Sequence, residues 1–165
     1  MTARRAQSNQ SAMNDPSPSA GWFEARQHCL PVRIYYEDTD FTGVVYHANF
    51  LRYFERGRSD FMRLAGISHS DLLAGPEPLG MAITRMEIDF VKAARIDDAL
   101  LVRTGVIAVM GPRFLFAQAA LRAGEEVARA RVEACCITMT GAPKRPPKAL
   151  VEAMAKYLAP GASTF

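Results

Sequence analysis

The sequence predicts an α+β domain in which an antiparallel sheet of five strands wraps around one long central helix. The first observation is a single helix-length amphipathic segment, residues 48–65. The second is a run of four strand-like segments after residue 80, joined by short links. Short links favour antiparallel pairing, because parallel neighbours need a crossover of about a dozen residues or more. A chain of 165 residues is about the size of one such domain.

Three regions are predicted along the chain. Residues 1–28 are predicted to be a disordered extension, since their first twenty positions are rich in Ser, Asn, Gln, Ala and Pro. Residues 29–148 are expected to form the folded domain, and residues 149–165 a C-terminal helix and tail. The first strand is predicted over residues 29–37, where Val32, Ile34 and Tyr36 alternate onto one face.

The long helix is predicted from the spacing of its aromatic side chains. Phe50, Phe54 and Phe61 fall on one helical face. Asn49 is a suitable N-cap, and Gly66 stands where a helix commonly ends. The segment is therefore expected to bury its aromatic face against the sheet.

The second half of the sequence is predicted to be a meander of strands. The strands are expected over residues 81–91, 100–109, 114–122 and 126–140. Gly111-Pro112 and Ala123-Gly124 indicate tight reversals between successive strands. Short helices are expected at residues 70–73 and 149–158.

The charge distribution, the length of the apolar runs and the cysteine content disfavour several classes of protein. Residues 29–140 carry 13 basic and 14 acidic side chains, so the net charge of +3 comes from the ends of the chain. That distribution predicts no nucleic-acid groove. No apolar run approaches the ~20 residues of a membrane span. Cys29, Cys135 and Cys136 make a poor disulfide framework, which fits a reducing cytoplasm.

Ionisable residues are concentrated at the junction between the first strand and the long helix. Asp38, Asp40 and His47 lie there, with Gly43 allowing close backbone approach to a ligand. The start of a helix offers free N–H groups that could stabilise an oxyanion formed from a thioester or ester carbonyl. Aspartates also favour turns for purely local reasons, so a simple turn is the other interpretation of Asp38 and Asp40.

A second enzymatic interpretation is less consistent with the chain. Residues 38–42 have the form D-x-D-x-T, which resembles the nucleophile motif of haloacid-dehalogenase-type phosphatases. That fold needs a parallel doubly wound sheet and a later aspartate pair at the end of a strand. Asp97-Asp98 precedes its predicted strand, and strands and helices do not alternate after residue 80. A phosphatase is therefore disfavoured.

A longer motif carries a more specific resemblance. The run Y-E-D-T-D-F-T-G-V-V-Y-H-A-N-F-L-R-Y-F-E-R-G-R, Tyr36 to Arg58, resembles the signature of the 4-hydroxybenzoyl-CoA thioesterase group of hotdog-fold enzymes. Within that group it is most similar to the acyl-CoA thioesterases associated with the tol-pal system. The likeness extends over residues 32–148, including A-R-I-D-D at 94–98 and P-K-R-P-P at 143–147. It implies a hotdog fold, in agreement with the helix and curved sheet predicted above.

The resemblance implies a role for each matching residue. Asp40 matches the catalytic carboxylate, and His47 matches the histidine whose backbone N–H polarises the thioester carbonyl. Tyr46 and Gly43 match the loop that shapes the site. Asp38 has no evident chemical role, so a turn or cap is expected for it.

Separate expectations attach to two further parts of the motif, Glu55 and the pair Phe41-Thr42. Glu55 is expected to be structural, although other hotdog enzymes use a carboxylate near this position in catalysis. Phe41-Thr42 departs from the small pair usual in the tol-pal group and could narrow the path of the acyl or pantetheine chain.

The activity implied is hydrolysis of acyl-CoA to a free carboxylic acid and CoA. Asp40 would act either as a nucleophile or as a general base on water, and the sequence leaves both open. Neither a cofactor nor a metal is expected. Four basic residues in predicted loops are candidates to bind the CoA phosphates, although each could be an ordinary solvated charge: Arg95, Arg113, Lys144 and Arg145.

Several statements about partners rest on the same resemblance. A homo-oligomer, either a dimer or a tetramer, is expected, as is a cytoplasmic location. An acyl carrier protein is a further candidate partner. A non-catalytic module that binds acyl groups or an acyl carrier protein on the same fold is the rival interpretation.

Overall fold

The computed structural model describes residues 21–160 and contains six strands, three α-helices and one short 3₁₀ helix within that range. The strands are β1 Trp22–Glu24, β2 Gln27–Arg33, β3 Leu79–Phe90, β4 Ala99–Met110, β5 Arg113–Arg122 and β6 Glu125–Thr138. The α-helices are α1 His47–Leu64, α2 His69–Ala74 and α3 Lys148–Ala155, and the 3₁₀ helix is Tyr36–Asp38.

The sheet is antiparallel throughout, in the order β1-β2-β4-β5-β6-β3. This confirms the α+β prediction, but the sheet has six strands instead of five. The additional strand is β1, which lies inside the 1–28 segment predicted to be disordered. β1 and the first two residues of β2 lie before residue 29, so the sheet begins earlier than the predicted domain boundary, while residues 1–20 lie outside the described part of the chain. Phe23 of β1 stacks on Tyr157 with ring centroids 4.0 Å apart, and this contact holds β1 against the C-terminal segment.

The first predicted strand ends earlier than its alternation suggested. β2 stops at Arg33, and Tyr36 is 84% exposed in the 3₁₀ helix. The Asp38 carboxylate accepts a hydrogen bond from the backbone N–H of Tyr35 at 2.8 Å. Such local side-chain bonds compete with strand pairing, so the chain leaves the sheet here.

The central helix α1 confirms its predicted face. Phe50, Phe54 and Phe61 are all buried in the core. Gly66 follows the helix with φ +94°, a conformation that glycine adopts easily. The helix begins at His47 after Tyr46, so Asn49 is not its N-cap.

One end of the molecule gathers the start of α1, the end of β3 and the start of β4. The ring of His47 lies 6.1 Å from that of Phe90, the last residue of β3. Phe50, one turn further along α1, lies 5.8 Å from the same ring. Residues 91–98 then lead from β3 into β4. None of the described helices is long and apolar enough to cross a membrane.

Candidate active site

The loop between the 3₁₀ helix and α1 is closed by a tight turn from Asp40 to Gly43. The backbone N–H of Gly43 donates to the carbonyl of Asp40 at 3.0 Å, and the N–H of Asp40 donates to the carbonyl of Val44 at 2.9 Å. Gly43 has φ +79°, which a residue with a side chain adopts only with strain. The turn therefore fixes Asp40 at its base and leaves Phe41 fully exposed near its tip.

The two oxygens of the Asp40 carboxylate differ in their surroundings. Oδ1 accepts hydrogen bonds from the backbone N–H of Thr42 at 2.8 Å and from its hydroxyl at 2.6 Å. These bonds, the hydroxyl first, lower the pKa of Asp40. Oδ2 has no hydrogen-bond partner among residues 21–160. Asp40 is thus ionised at neutral pH, with one oxygen held and the other available.

A second loop, residues 91–98, lies against the first. Val44 and Arg95 form an isolated antiparallel bridge. The Arg95 guanidinium comes close to Gly43, because a Cβ built on that glycine would lie 4.0 Å from Nη1 of Arg95. The Asp98 carboxylate accepts from the N–H of Arg95 and from Arg122, at 2.8 and 2.7 Å. These contacts place a positive charge beside the Asp40 turn.

The start of α1 supplies hydrogen-bond donors to the same region. Tyr46, half exposed, precedes the helix and donates its N–H to the carbonyl of Asp38 at 2.9 Å. Within the described chain, the N–H groups of His47 and Ala48 have no acceptor. They also lie at the positive end of the helix dipole. The helix start can therefore bind a developing negative charge.

The structure brings together five of the six residues predicted for the site. These are Asp40, Gly43, Tyr46, His47 and Arg95.

Arg113 is the residue that lies elsewhere. It begins β5 opposite Met110, at the far end of the 12-residue strand β4 from the 91–98 loop. At about 3.3 Å per residue, that separation is roughly 35–40 Å. Its Nε lies 3.5 Å from Glu133 and its side chain is 56% exposed, so Arg113 is a surface charge of this chain.

Sequence reasoning missed two contributors to the site. Thr42 holds the Asp40 carboxylate, and the Asp-x-Thr spacing, typical of a local side-chain turn, was the available signal. Asn49 donates its side-chain amide to the carbonyl of Asp38 at 2.8 Å, a contact that no local pattern indicates. The structural role expected for Asp38 is confirmed, since its carboxylate caps the 3₁₀ helix.

Other features of the described chain stand apart from this site. Glu55 accepts a hydrogen bond from Ser59 at 2.6 Å, and Ser59 lies 3.1 Å from His69. A cavity of about 810 Å³ lies by the middle of the sheet and contains neither Asp40 nor His47. No group of three or more metal-binding side chains is found among residues 21–160.

Comparison with known proteins decides the family. A family model described as the thioesterase-like superfamily matches residues 35–154. The chain belongs to this superfamily. An acyl-CoA thioesterase, YbgC, of Haemophilus influenzae is 39% identical over 110 residues, which cover 67% of this chain and 80% of the relative.

Solved structures agree with this assignment. A probable thioesterase from Bartonella henselae is 40% identical, with a TM-score of 0.72 over 73% of this chain and 99% of that one. A mutant 4-hydroxybenzoyl CoA thioesterase, complexed with 4-hydroxybenzoyl CoA, is 20% identical, with a TM-score of 0.74 over 79% and 99% of the two chains. At that identity the likeness concerns the fold alone. The hotdog fold expected for this thioesterase-like chain is thereby confirmed.

Proposed function

We propose that this chain is an acyl-CoA thioester hydrolase that releases a free carboxylic acid and CoA. The observation that carries the proposal is the ionised Asp40, with one free oxygen, beside two N–H groups of α1 that lack an acceptor among the described residues. Thioester hydrolysis needs a nucleophile or base and a donor pair for the oxyanion. The relative from Haemophilus influenzae, an acyl-CoA thioesterase by name, supports the same chemistry.

The oxyanion would form at the start of α1. Attack on the thioester carbonyl converts its oxygen to an alkoxide, which the N–H groups of His47 and Ala48 would bind. The tetrahedral intermediate then collapses, and the C–S bond breaks to release the CoA thiolate. Arg95 beside the turn is suited to hold a phosphate of CoA.

Asp40 can act either as a nucleophile or as a general base. The hydrogen bonds from Thr42 lower the pKa of Asp40 and so keep its carboxylate ionised, as both roles require. As nucleophile, Oδ2 would bond to the acyl carbon and expel the thiolate, and water would then hydrolyse the mixed anhydride. Rapid quenching of a single turnover with a labelled acyl group tests this, because label bound covalently to the Asp40 peptide supports the anhydride. Label that is released with no enzyme-bound species at any time supports the base role.

Replacing the carboxylate tests the site assignment. Asp40→Asn should lower kcat by at least about 10²–10⁴-fold, the usual contribution of a general acid or base. Asp97→Asn is the matched control, since Asp97 is an exposed aspartate of the neighbouring loop and asparagine tolerates its φ of 66°. Thiol release from a panel of acyl-CoAs is the measurement. A wild-type rate in Asp40→Asn would sink the assignment, and no thiol release by the wild-type chain from any acyl-CoA would favour the non-catalytic binding module.

The backbone donor can be tested separately from the histidine ring. His47→Pro removes the N–H at the first helical position, where proline is tolerated, and the preceding Tyr46 already has the extended conformation that proline requires. The loss of one oxyanion donor should lower kcat about 10²–10³-fold. His47→Ala removes only the ring and keeps the N–H, so it should retain most of the activity. Equal rates for the two variants would contradict the backbone role.

We also propose that the active form is a homo-oligomer. β3 is an edge strand of 12 residues, and Ile83 and Phe90 on it are about half exposed. A long unpaired edge with apolar side chains favours pairing with another strand, and a second copy of β3 would satisfy it. Light scattering should give a multiple of the 18.2 kDa chain mass. A monomeric mass would contradict the pairing, and the value distinguishes a dimer from a tetramer.

Three further proposals concern the location and partners of the chain. A cytoplasmic location is supported by three free cysteines, all buried, which suit a reducing compartment. Association with the tol-pal system is supported only by the motif of residues 36–58. An acyl carrier protein presents the same thioester as acyl-CoA, so hydrolysis of both donors should be compared at equal concentration.

A further inference from the structure

Asn49 is a buried polar residue that the mechanism above does not use. It is 6% exposed and lies in the first turn of α1. Its Nδ2 donates to the backbone carbonyl of Asp38 at 2.8 Å, eleven positions earlier in the chain. Its Oδ1 makes only a long contact with Arg52 Nη1, at 3.4 Å. The strong bond of this side chain therefore connects α1 to the chain that precedes the Asp40 turn.

The carbonyl of Asp38 is the centre of a small hydrogen-bond network. It accepts from the side chain of Asn49 and from the N–H of Tyr46, at 2.8 and 2.9 Å. A carbonyl oxygen has two lone pairs, and both are used here. The carbonyl of Tyr46 in turn accepts from the N–H of Asn49 at 2.9 Å. The network thus joins the Asp38 peptide to the start of α1 through Tyr46 and Asn49.

The two sides of this network carry the two halves of the chemistry. Asp38 lies two residues before Asp40, and Tyr46 lies immediately before the N–H of His47. Fixing the Asp38 peptide against Tyr46 therefore fixes the position of the carboxylate relative to the oxyanion donors. Both groups must lie about 3 Å from one thioester carbonyl, and a misplacement of about 1 Å can cost about 10²-fold in rate.

We propose that Asn49 is a positioning residue for thioester hydrolysis, which sets the separation between the Asp40 carboxylate and the N–H groups of His47 and Ala48. The inference rests on the proposed function, because it assumes that these groups act on the same carbonyl. It adds to that function a residue that touches neither the thioester nor the reacting atoms. The alternative is that Asn49 serves only to satisfy buried polar groups and stabilise the fold.

A matched pair of variants separates these two roles. Asn49→Asp keeps the size of the side chain and removes its amide donor. Gln118→Glu makes the same chemical change at another buried residue, 3% exposed, whose Nε2 donates to the carbonyl of Phe54 in the middle of α1 at 2.8 Å. Gln118 lies away from the Asp40 turn, so its substitution changes stability without moving the catalytic groups. Asn49→Ser provides a second test at the site and decides by the same criteria if Asn49→Asp does not fold.

The kinetic readout is the separation of kcat from KM. Asn49→Asp should lower kcat about 10- to 100-fold while KM changes less than threefold, since binding of CoA does not depend on the network. Gln118→Glu should keep kcat within twofold of wild type even where its melting temperature falls as far as that of Asn49→Asp. Hydrogen exchange at the Tyr46 amide should also become faster in Asn49→Asp, because its acceptor is no longer held.

The results also distinguish the inference from the function it rests on. If Asp40→Asn is inactive and folded Asn49→Asp turns over within twofold of wild type, the positioning role of Asn49 is overturned and the proposed function stands. An equal loss of kcat in Gln118→Glu and Asn49→Asp likewise overturns it. If Asp40→Asn keeps the wild-type rate, the proposed site itself is wrong.

Discussion

Gly57 is the position in α1 where a single methyl group should do most harm. It is buried in the middle of the helix, where glycine costs about 1 kcal/mol relative to alanine. Propensity alone therefore predicts that Gly57→Ala stabilises the protein. A Cβ at this position would lie 2.8 Å from Oγ1 of Thr104 and 3.0 Å from Cγ1 of Val102. Both neighbours are fully buried, so the sheet must move or the Thr104 side chain must turn.

The magnitude follows from what the added methyl displaces. Overpacking of a filled core costs about 1–3 kcal/mol. Turning Thr104 breaks its hydrogen bond from Gln118 Nε2, 2.8 Å long, and leaving a buried polar group unsatisfied costs about 1–3 kcal/mol. After the gain of about 1 kcal/mol in helix propensity, the net loss is about 3 kcal/mol, within a range of about 1–5. For a chain of this size that lowers the melting temperature by about 6–12 °C.

Thermal unfolding of Gly57→Ala, at a fixed protein concentration, measures this loss. Arg56→Ala, at an exposed position on the same helix, is the control and should change stability by less than about 0.5 kcal/mol. Thr104→Ala makes room for the methyl, so the double variant should lose less stability than the sum of the two single variants. A melting temperature of Gly57→Ala at or above wild type would refute the reasoning, because helix propensity would then outweigh the close packing.

Three further predictions concern pH and substrate binding. Thr42→Val removes the hydroxyl hydrogen bond that most lowers the pKa of Asp40. That pKa should therefore rise, and the acid limb of the pH profile of kcat/KM should move to higher pH. An acid limb that does not move would contradict this role of Thr42. Burial lowers the pKa of His28 below its value of about 6.5 in the unfolded chain. As pH falls below about 6.5, the unfolded state therefore binds a proton that the native state does not, and the free energy of unfolding decreases. Between pH 7.5 and 5, the melting temperature of His28→Phe should therefore fall by less than that of wild type. The pKa of Asp60 is also lowered, so Asp60 does not titrate in this range. An equal fall in both proteins argues against His28 as the cause. Arg95→Ala should raise KM for acyl-CoA about 10- to 150-fold, since a charge-assisted hydrogen bond contributes about 1.5–3 kcal/mol. KM for an acyl-N-acetylcysteamine thioester, which lacks the phosphates, should stay unchanged, and parallel increases for both substrates would contradict a phosphate contact.

Local sequence patterns were sufficient for the parts of the molecule that depend on near neighbours. The buried face of α1 follows from the spacing of Phe50, Phe54 and Phe61, because residues three and four apart share a helical face. Gly66 follows from the conformation that ends a helix. The loop that carries Asp40 and His47 was located by its motif, and its tight turn is formed by bonds within five residues.

Long-range packing determined what the patterns could not. β1 pairs with β2 at the edge of the sheet, and its Phe23 packs on Tyr157, which is distant in the sequence and which no local pattern connects to it. Arg113 was a candidate to bind the CoA phosphates, but the direction of β4 carries it to the other end of the sheet.

The sequence by itself located the residues proposed to carry the chemistry, because the residue types and the turn that presents Asp40 are encoded within a short stretch. Only the tertiary structure decided how these residues are held. Asparagine is a residue type common at helix N-caps, but the side-chain amide of Asn49 donates a hydrogen bond to the carbonyl of Asp38 instead. Folding brings the Asp38 peptide over the first turn of α1. A hydrogen bond across eleven residues depends on the path of the whole loop, and no local preference specifies it.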